Sequence, residues 1–435
     1  MHKVEFEQLE ETLFHEKLDN GLNVYILPKK GFSKTFATFT TKYGSIDNHF
    51  VPQGGTEPIK VPDGIAHFLE HKMFEKEEGD VFQEFSKQGA SANAFTSFTR
   101  TAYLFSATGE IDKNVKTLLD FVQSPYFTEK TVEKEKGIIA QEITMYDDQP
   151  DWRLYFGIIE NLYKNHPVKI DIAGTVDSIQ DITAEHLYTC YNTFYHPSNM
   201  VLFVVGNVDP DQMMKLVKED QAQKTFEEPT EIKRIYPDEP KEVAIKERVL
   251  EMSVQKPKVF YGIKPEKLDL IGPDMLKHEL AAQLAYELLF GRTSDFYHHA
   301  YENDWIDESY SFDYSLEHGF GYALIGSDTH KPEILIKEIK HTLQNAIEKW
   351  PFGQEDLDRV RRKKIGFFLR ALNSPEYIAN QFTHYAFNEM NLFDVVPVLE
   401  SLEVADLQNA FALVSHESQQ SVFTIMPTAK DAQAQ

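Results

Sequence analysis

A stretch dense in charge and proline, "QAQKTFEEPTEIKRIYPDEPKEVAI" at 221–245, divides this 435-residue chain into two parts of similar length. Such a segment has too few apolar side chains to bury and reads as a linker. The parts on either side follow one plan. Each ends on helix, short loop and apolar strand, "NMVLFVVGNVDP" at 199–210 in the first and "QSVFTIMP" at 420–427 in the second. The chain is longer than the roughly 250–300 residues that one hydrophobic core organises. We therefore expect two tandem α+β domains of the same design: an N-terminal domain over 1–220, the linker 221–245, and a C-terminal domain over 246–435.

Local periodicity fills in the elements. "LNVYIL" (22–27) and "TFATFTTKY" (35–43) read as strands, and 45–63 reads as loop. A helix is expected from Asp63, a good N-cap, to about Phe74, and another over 80–88 ending at Gly89. "SANAFTSFTRTAYLFS" (91–106) has β-formers and no breaker, so it reads as one strand. Val115, Leu118, Leu119 and Val122 recur at i, i+3, i+4, i+7, the mark of a helix with one buried face. Further helix is expected over 130–146, on to about 163, and over 178–194. The second part starts on a strand at 257–264 and continues with helices at 273–290, 331–349, 354–371 and 375–388.

Bulk properties exclude several partners. The net charge of −25 lacks the basic footprint that nucleic acid or an anionic membrane surface requires. Apolar runs such as "MVLFVV" (200–205) are far too short to span a bilayer. The start "MHKVEFEQLE" has no apolar signal region, and Cys190 is the single cysteine, so a reducing, cytoplasmic setting is expected.

The chemistry concentrates in "GIAHFLEHKMF" (64–74). His67 and His71 are four apart, so a helix projects both imidazoles from one face, as two ligands of a tetrahedral zinc require. Glu70 shares that face a step round. A water attacking a carbonyl must lose a proton, and a carboxylate there can take it. The order is His-x-x-Glu-His, the inverse of the commoner His-Glu-x-x-His. A salt-bridged helix face is the bland reading of the same residues. A catalytic zinc needs a third protein ligand. In "TVEKEKGIIAQEITMYDD" (131–148), Glu135 and Glu142 lie two turns apart on one face. Glu142 has apolar neighbours, where an unpaired carboxylate is costly, so it is the expected ligand. Glu135, among charged residues, suits an outer role in orienting a ligand or the water. His166, His196, His298 and His299 have no third ligand in register and read as structural or surface.

These residues resemble a known family. "GIAHFLEH", the strand holding "NAFTS", and "EKEKGIIAQEI" look like the inverted-zincin peptidases of the pitrilysin, insulin-degrading enzyme and mitochondrial processing peptidase superfamily, and the length resembles its short bacterial members. "LDNGLNVYILP", "YGSID" and "FYHPSNMVLFVVGNVDP" extend the likeness over nearly the whole chain. The resemblance implies one half of a clamshell, built from two homologous domains with helices packed on an antiparallel-rich sheet. It implies one zinc per chain held by His67, His71 and Glu142, with Glu70 activating the water and Glu135 supporting the site. It implies that the strand around Asn93 and Ala94 receives the substrate backbone by β-augmentation. The activity implied is zinc-dependent hydrolysis of peptides or small unfolded proteins; the alternative is a non-catalytic assembly subunit of the same fold.

One departure bears on partners. Active members carry an arginine and a tyrosine about seven residues apart in the second half. Here the matching stretch, "FYHHAYENDWIDESYSF" (296–312), has no arginine. Tyr301 stands near the arginine position, Tyr310 near the tyrosine position, and Arg292 lies upstream. The expectation is a heterodimer whose second subunit supplies the missing pair. A homodimer that anchors substrate through Tyr301, Tyr310 or other groups is the competing expectation.

Overall fold

Two large sheets form in the computed structural model, which describes residues 1–77, 79–266, 269–413 and 416–429, and each organises one compact unit. The first unit takes in 1–144, 170–236 and 371–387. Its strands are β1 (His2–Phe6), β2 (Glu11–Lys17), β3 (Asn23–Pro28), β4 (Thr35–Thr41), β5 (Ala90–Thr96), β6 (Thr101–Ala107) and β7 (Met200–Gly206). They lie in the order β1-β2-β3-β7-β4-β6-β5. β7 is parallel to β3 and antiparallel to β4, and every one of its residues is buried, as a continuous apolar run demands of an interior strand.

The single strand expected over 91–106 is instead a hairpin, with β5 and β6 antiparallel and Thr96 opposite Thr101. The turn at 97–100 contains neither glycine nor proline, which is why the sequence hid it. Ser97 closes it: its N–H donates to the Arg100 carbonyl (2.8 Å), and its hydroxyl accepts from the Arg100 N–H (3.2 Å). β5 pairs with β6 alone among the described strands, so its other margin is an open sheet edge.

The α-helices among the described residues of the first half of the chain are α1 (Ile65–Met73), α2 (Phe82–Lys87), α3 (Ile111–Val122), α4 (Glu129–Asp147), α5 (Pro150–Leu162), α6 (Val176–Gln180), α7 (Ala184–Phe194) and α8 (Pro210–Gln221). Val115, Leu118, Leu119 and Val122 of α3 are all fully buried, as their spacing requires. The expected helical run past 146 breaks at 148–149, and α5 restarts with Pro150 in its first turn, where a missing N–H costs nothing.

The second unit takes in 145–169, 237–370 and 388–435. Its strands are β8 (Glu247–Met252), β9 (Lys258–Ile263), β10 (Ser311–Glu317), β11 (Phe320–Asp328) and β12 (Gln420–Pro427), in the order β8-β12-β9-β11-β10. Its helices are α9 (Gly272–Phe290), α10 (Asp295–Glu302), α11 (Pro332–Glu348), α12 (Gln354–Ala371), α14 (Val395–Ser401) and α15 (Val404–Ala412), while α13 (Pro375–Phe387) belongs to the first unit.

The units are thus interleaved along the chain rather than parted once at 221–245. α5 packs on β9 and β12 of the second sheet, and Gly157 permits it: a Cβ there would fall 2.5 Å from the Phe423 ring. In exchange, α13 packs on β4 and β7 of the first sheet, where Phe382 meets Tyr25 and Phe203 with ring centroids 4.8 and 4.6 Å apart.

The second unit buries one carboxyl with consequences for stability. Glu279 on α9 is 6% exposed; Oε1 accepts from Gln283 Nε2 (3.2 Å), and Oε2 is buried without a hydrogen-bond partner among the described residues. Burial, then the charge of Glu317, pushes its carboxyl up to about 8, against the pull of Lys364. The unfolded chain releases this proton near pH 4.5 while the folded chain keeps it, so stability falls as pH rises from about 4.5 to 8. The full penalty above that window is on the order of 5 kcal/mol. Glu279→Gln is therefore expected to raise the melting temperature by several degrees at pH 9 and to leave it nearly unchanged at pH 5. Calorimetry at pH 5, 7 and 9 checks this; equal shifts at all three would remove Glu279 as the cause.

Candidate metal centre

α1 begins at Ile65, and Asp63 does not cap it; the Asp63 carboxylate instead accepts from Asn48 Nδ2 at 2.7 Å. Gly64 takes the N-cap position with φ +88°, and a Cβ there would lie 2.3 Å from the Ala173 carbonyl oxygen. No L side chain fits that entry without displacing the 173–174 backbone. The helix is then enclosed on nearly all sides: Ile65, Ala66, Phe68, Leu69 and Met73 join the core of the first unit. His67 (9% exposed) and Glu70 (8%) are buried as well. A polar pair buried on this helix needs partners, and α4 and β5 provide them.

Nε2 of His67 lies 3.8 Å from one Glu142 oxygen, and Nε2 of His71 lies 3.5 Å from the other. One ligand atom from each of the three residues falls within 4.8 Å of the rest, and they form the one such cluster of three among the described residues. Nδ1 of His71 contacts Glu135 Oε1 at 3.1 Å. A carboxylate can only accept, so the ring proton is on Nδ1 and the Nε2 lone pair faces the cluster. Glu70 turns to β5, where its Oε2 accepts from Thr96 Oγ1 at 2.7 Å.

The electrostatics follow from this crowding. Burial, joined by the charge of His71, pushes the His67 imidazole down to about 4, against the pull of Glu142 and Glu135. Burial also works against His71⁺, but the Glu135 hydrogen bond and the charges of Glu70, Glu142 and Glu135 outweigh it and raise the imidazole. Burial raises the Glu70 carboxyl, with the Thr96 hydrogen bond opposing. Glu135 is held low despite burial because His71 bonds it.

This donor set fits zinc. Ligand atoms on a tetrahedral zinc, bound at about 2.0–2.1 Å, stand roughly 3.3 Å from one another, somewhat nearer than the 3.8 and 3.5 Å between the His67 and His71 Nε2 atoms and the two Glu142 oxygens. Nδ1 of His67 is buried without a hydrogen-bond partner among the described residues. That atom leaves Nε2 as the working nitrogen of a ring that burial keeps neutral, which is the form a metal takes.

The other expected residues divide. Glu135 was expected to be the more solvated carboxylate, yet its side chain is 12% exposed against 21% for Glu142. It is enclosed because His71 is drawn against it. Asn93 and Ala94 lie on the open edge strand β5, and Asn93 Oδ1 accepts from the Ala94 N–H at 2.9 Å. In the second unit, the Tyr310 hydroxyl is committed to the Phe290 carbonyl (2.8 Å). Tyr301 stacks on Tyr297 and is 59% exposed, and Arg292 is exposed. The contact from Thr96 to Glu70 was missed. Strand alternation could have found it, since Thr96 shares the face of Ala92 and Ala94, which pack on the core with α1.

Two family models match the chain: "Insulinase (Peptidase family M16)" over residues 53–176 and "Peptidase M16 inactive domain" over 181–364. The "Uncharacterized zinc protease YmfH" of Bacillus subtilis (strain 168) is 61% identical over 406 residues, 93% of this chain and 94% of that protein. A "Putative zinc protease AlbF" of Bacillus subtilis is 26% identical over 213 residues, 49% of each chain. The crystal structure of a putative M16-like peptidase from Alicyclobacillus acidocaldarius superposes with a TM-score of 0.93 at 40% identity, over 96% of this chain and 99% of that one. Pitrilysin shares the fold at 15% identity and a TM-score of 0.75; this chain matches 46% of its length.

Proposed function

The chain belongs to the insulinase (M16) peptidase family of zinc proteases, and we propose that it is a zinc-dependent endopeptidase acting on peptides or small unfolded proteins. The observation that carries this is the convergence of His67, His71 and Glu142 within 4.8 Å, with the Glu70 carboxylate on the helix of the two histidines. His67 Nε2, His71 Nε2 and Glu142 would hold one zinc per chain, and Glu135 keeps the His71 ring oriented through Nδ1. Zinc, when bound, supplies a Lewis acid that polarises the scissile carbonyl and acidifies water. Glu70 takes the proton of the attacking water and returns it to the leaving amine. β5 supports the peptide class, because an open edge strand can pair with an extended backbone and cannot pair with a folded chain. No helix among the described residues is long and apolar enough to cross a membrane.

The partner proposed is a second M16-type subunit that carries the arginine and tyrosine. Stretch 296–312 has no arginine, and the Tyr310 hydroxyl already serves the Phe290 carbonyl. Each charge-assisted hydrogen bond so missing is worth about 1.5–3 kcal/mol of substrate binding. Purified chain, alone and mixed equimolar with a candidate partner of that kind, should be assayed on one quenched peptide library with and without chelator. Turnover is expected to rise at least about tenfold in the mixture, since one such bond already exceeds 1.4 kcal/mol, and to vanish with chelator. Full turnover by the chain alone, unchanged by the partner, would point to the homodimer. Absence of both zinc and turnover would point to the assembly subunit.

A further inference from the structure

We infer that Thr96 is a positioning residue that selects which oxygen of Glu70 acts as the base. This rests on the reading of Glu70 as proton acceptor. Among the described residues, the one hydrogen bond to the Glu70 carboxylate comes from Thr96 Oγ1, which lies 2.7 Å from Oε2. Oε1 is the oxygen left over.

The direction of that bond is set by its neighbours. Thr101 lies opposite Thr96 across the β5–β6 ladder, and their hydroxyls are 3.4 Å apart. The Thr101 hydroxyl donates to the Tyr43 carbonyl at 2.9 Å, so its single proton is spent there. Thr101 can then only accept from Thr96, and at 3.4 Å it is a poor rival to a charged acceptor at 2.7 Å. The Thr96 proton goes to Glu70.

Thr96 is also a fixed post rather than a side chain that follows Glu70. The turn after it is fastened to the neighbouring loop: the Ser45 N–H donates to the Ser97 carbonyl (3.0 Å) and the Ile46 N–H to the Phe98 carbonyl (3.1 Å). Glu70 itself stands on a helix enclosed in the core. Two rigid elements thus clamp one carboxylate oxygen and leave the other its freedom. Because β5 is also the open edge, the strand that would receive a substrate backbone is the strand that holds the base. Positioning of this kind acts on the chemical step and not on peptide binding, since Thr96 has turned its hydroxyl away from the edge and toward α1.

The test compares wild type, Thr96→Val and Thr96→Ser, each loaded with zinc and assayed with the partner if one is required. Val keeps the shape and strand propensity of Thr and removes the donor; Ser restores it. Thr96→Val is expected to lower kcat about 10- to 100-fold, the cost of a base misplaced by about an ångström, with KM and zinc content unchanged. Thr96→Ser should recover most of the loss. Crystal structures of the zinc-loaded proteins give a readout independent of turnover: Glu70 should leave its wild-type position in Thr96→Val and keep it in Thr96→Ser. A kcat unchanged in Thr96→Val, or a Glu70 carboxylate that holds its place without the Thr96 hydroxyl, would overturn the assignment. A wild type that binds zinc but cleaves nothing would instead count against the peptidase reading, with the Glu70 position still deciding the role of Thr96.

Discussion

Glu70→Gln is expected to yield a protein that folds, binds zinc as wild type does, and hydrolyses peptides roughly 10³-fold more slowly. Glutamine has the shape of glutamate, and its amide oxygen can keep the hydrogen bond from Thr96. What it lacks is a site to receive a proton. General base catalysis is worth about 10²- to 10⁴-fold, so kcat should fall by roughly 10³-fold. Zinc content should hold, because Glu70 directs its carboxylate to Thr96 and lies outside the His67, His71, Glu142 cluster. The measurement is single-turnover cleavage of a quenched peptide beside metal analysis of the same sample. Cleavage that survives the substitution undiminished would place the base on another residue. Loss of zinc together with activity would mean that Glu70 belongs to the ligand set.

Removing a ligand should act on the metal itself. His67→Ala is expected to abolish tight zinc binding, and with it the gain in melting temperature that zinc gives wild type. A ligand held at a thousand times its dissociation constant stabilises by about 4 kcal/mol, which is large against the stability of a domain. The apo protein should tolerate the change, since Nδ1 of His67 has no hydrogen-bond partner to lose among the described residues. Glu135→Gln is the graded control. It weakens the grip on Nδ1 of His71 without touching the cluster, and such outer partners are worth about 10- to 100-fold in affinity. Thermal melts and competition with a chelator, run on all three proteins, order the effects. A His67→Ala protein that still takes up one zinc with wild-type affinity would exclude His67 as a ligand.

The motif helix was legible because helical geometry is local. His67, Glu70 and His71 share one face in any helix, so five residues announced a candidate metal face before any partner was known. The pattern Val115, Leu118, Leu119, Val122 and the apolar run 200–205 were legible for the same reason: period and hydrophobicity belong to the segment that carries them. Turns built on side chains were less visible. Ser97 makes a hairpin out of what reads as one strand, because a hydroxyl that caps its own backbone leaves no glycine or proline to mark it.

Partner choice was another matter. Two carboxylates on one face of α4 were both available to the histidines. The sequence favoured Glu142 for its apolar neighbours, yet Ile138 beside it is 46% exposed and Glu135 is the more enclosed side chain. Which one meets the two Nε2 atoms and which meets Nδ1 depends on how α4 lies along α1. The same holds for Thr96 and Glu70, 26 residues apart, and for α5 and α13, each packed on the sheet of the other half. The sequence by itself determined which faces are apolar and which helix carries His67, Glu70 and His71 on one face, because those follow from the 3.6-residue and 2-residue periods. The tertiary structure alone decided which faces meet, because that depends on the order of strands and the close approach that residues such as Gly64 and Gly157 allow, and no local period encodes a contact between segments far apart in the chain.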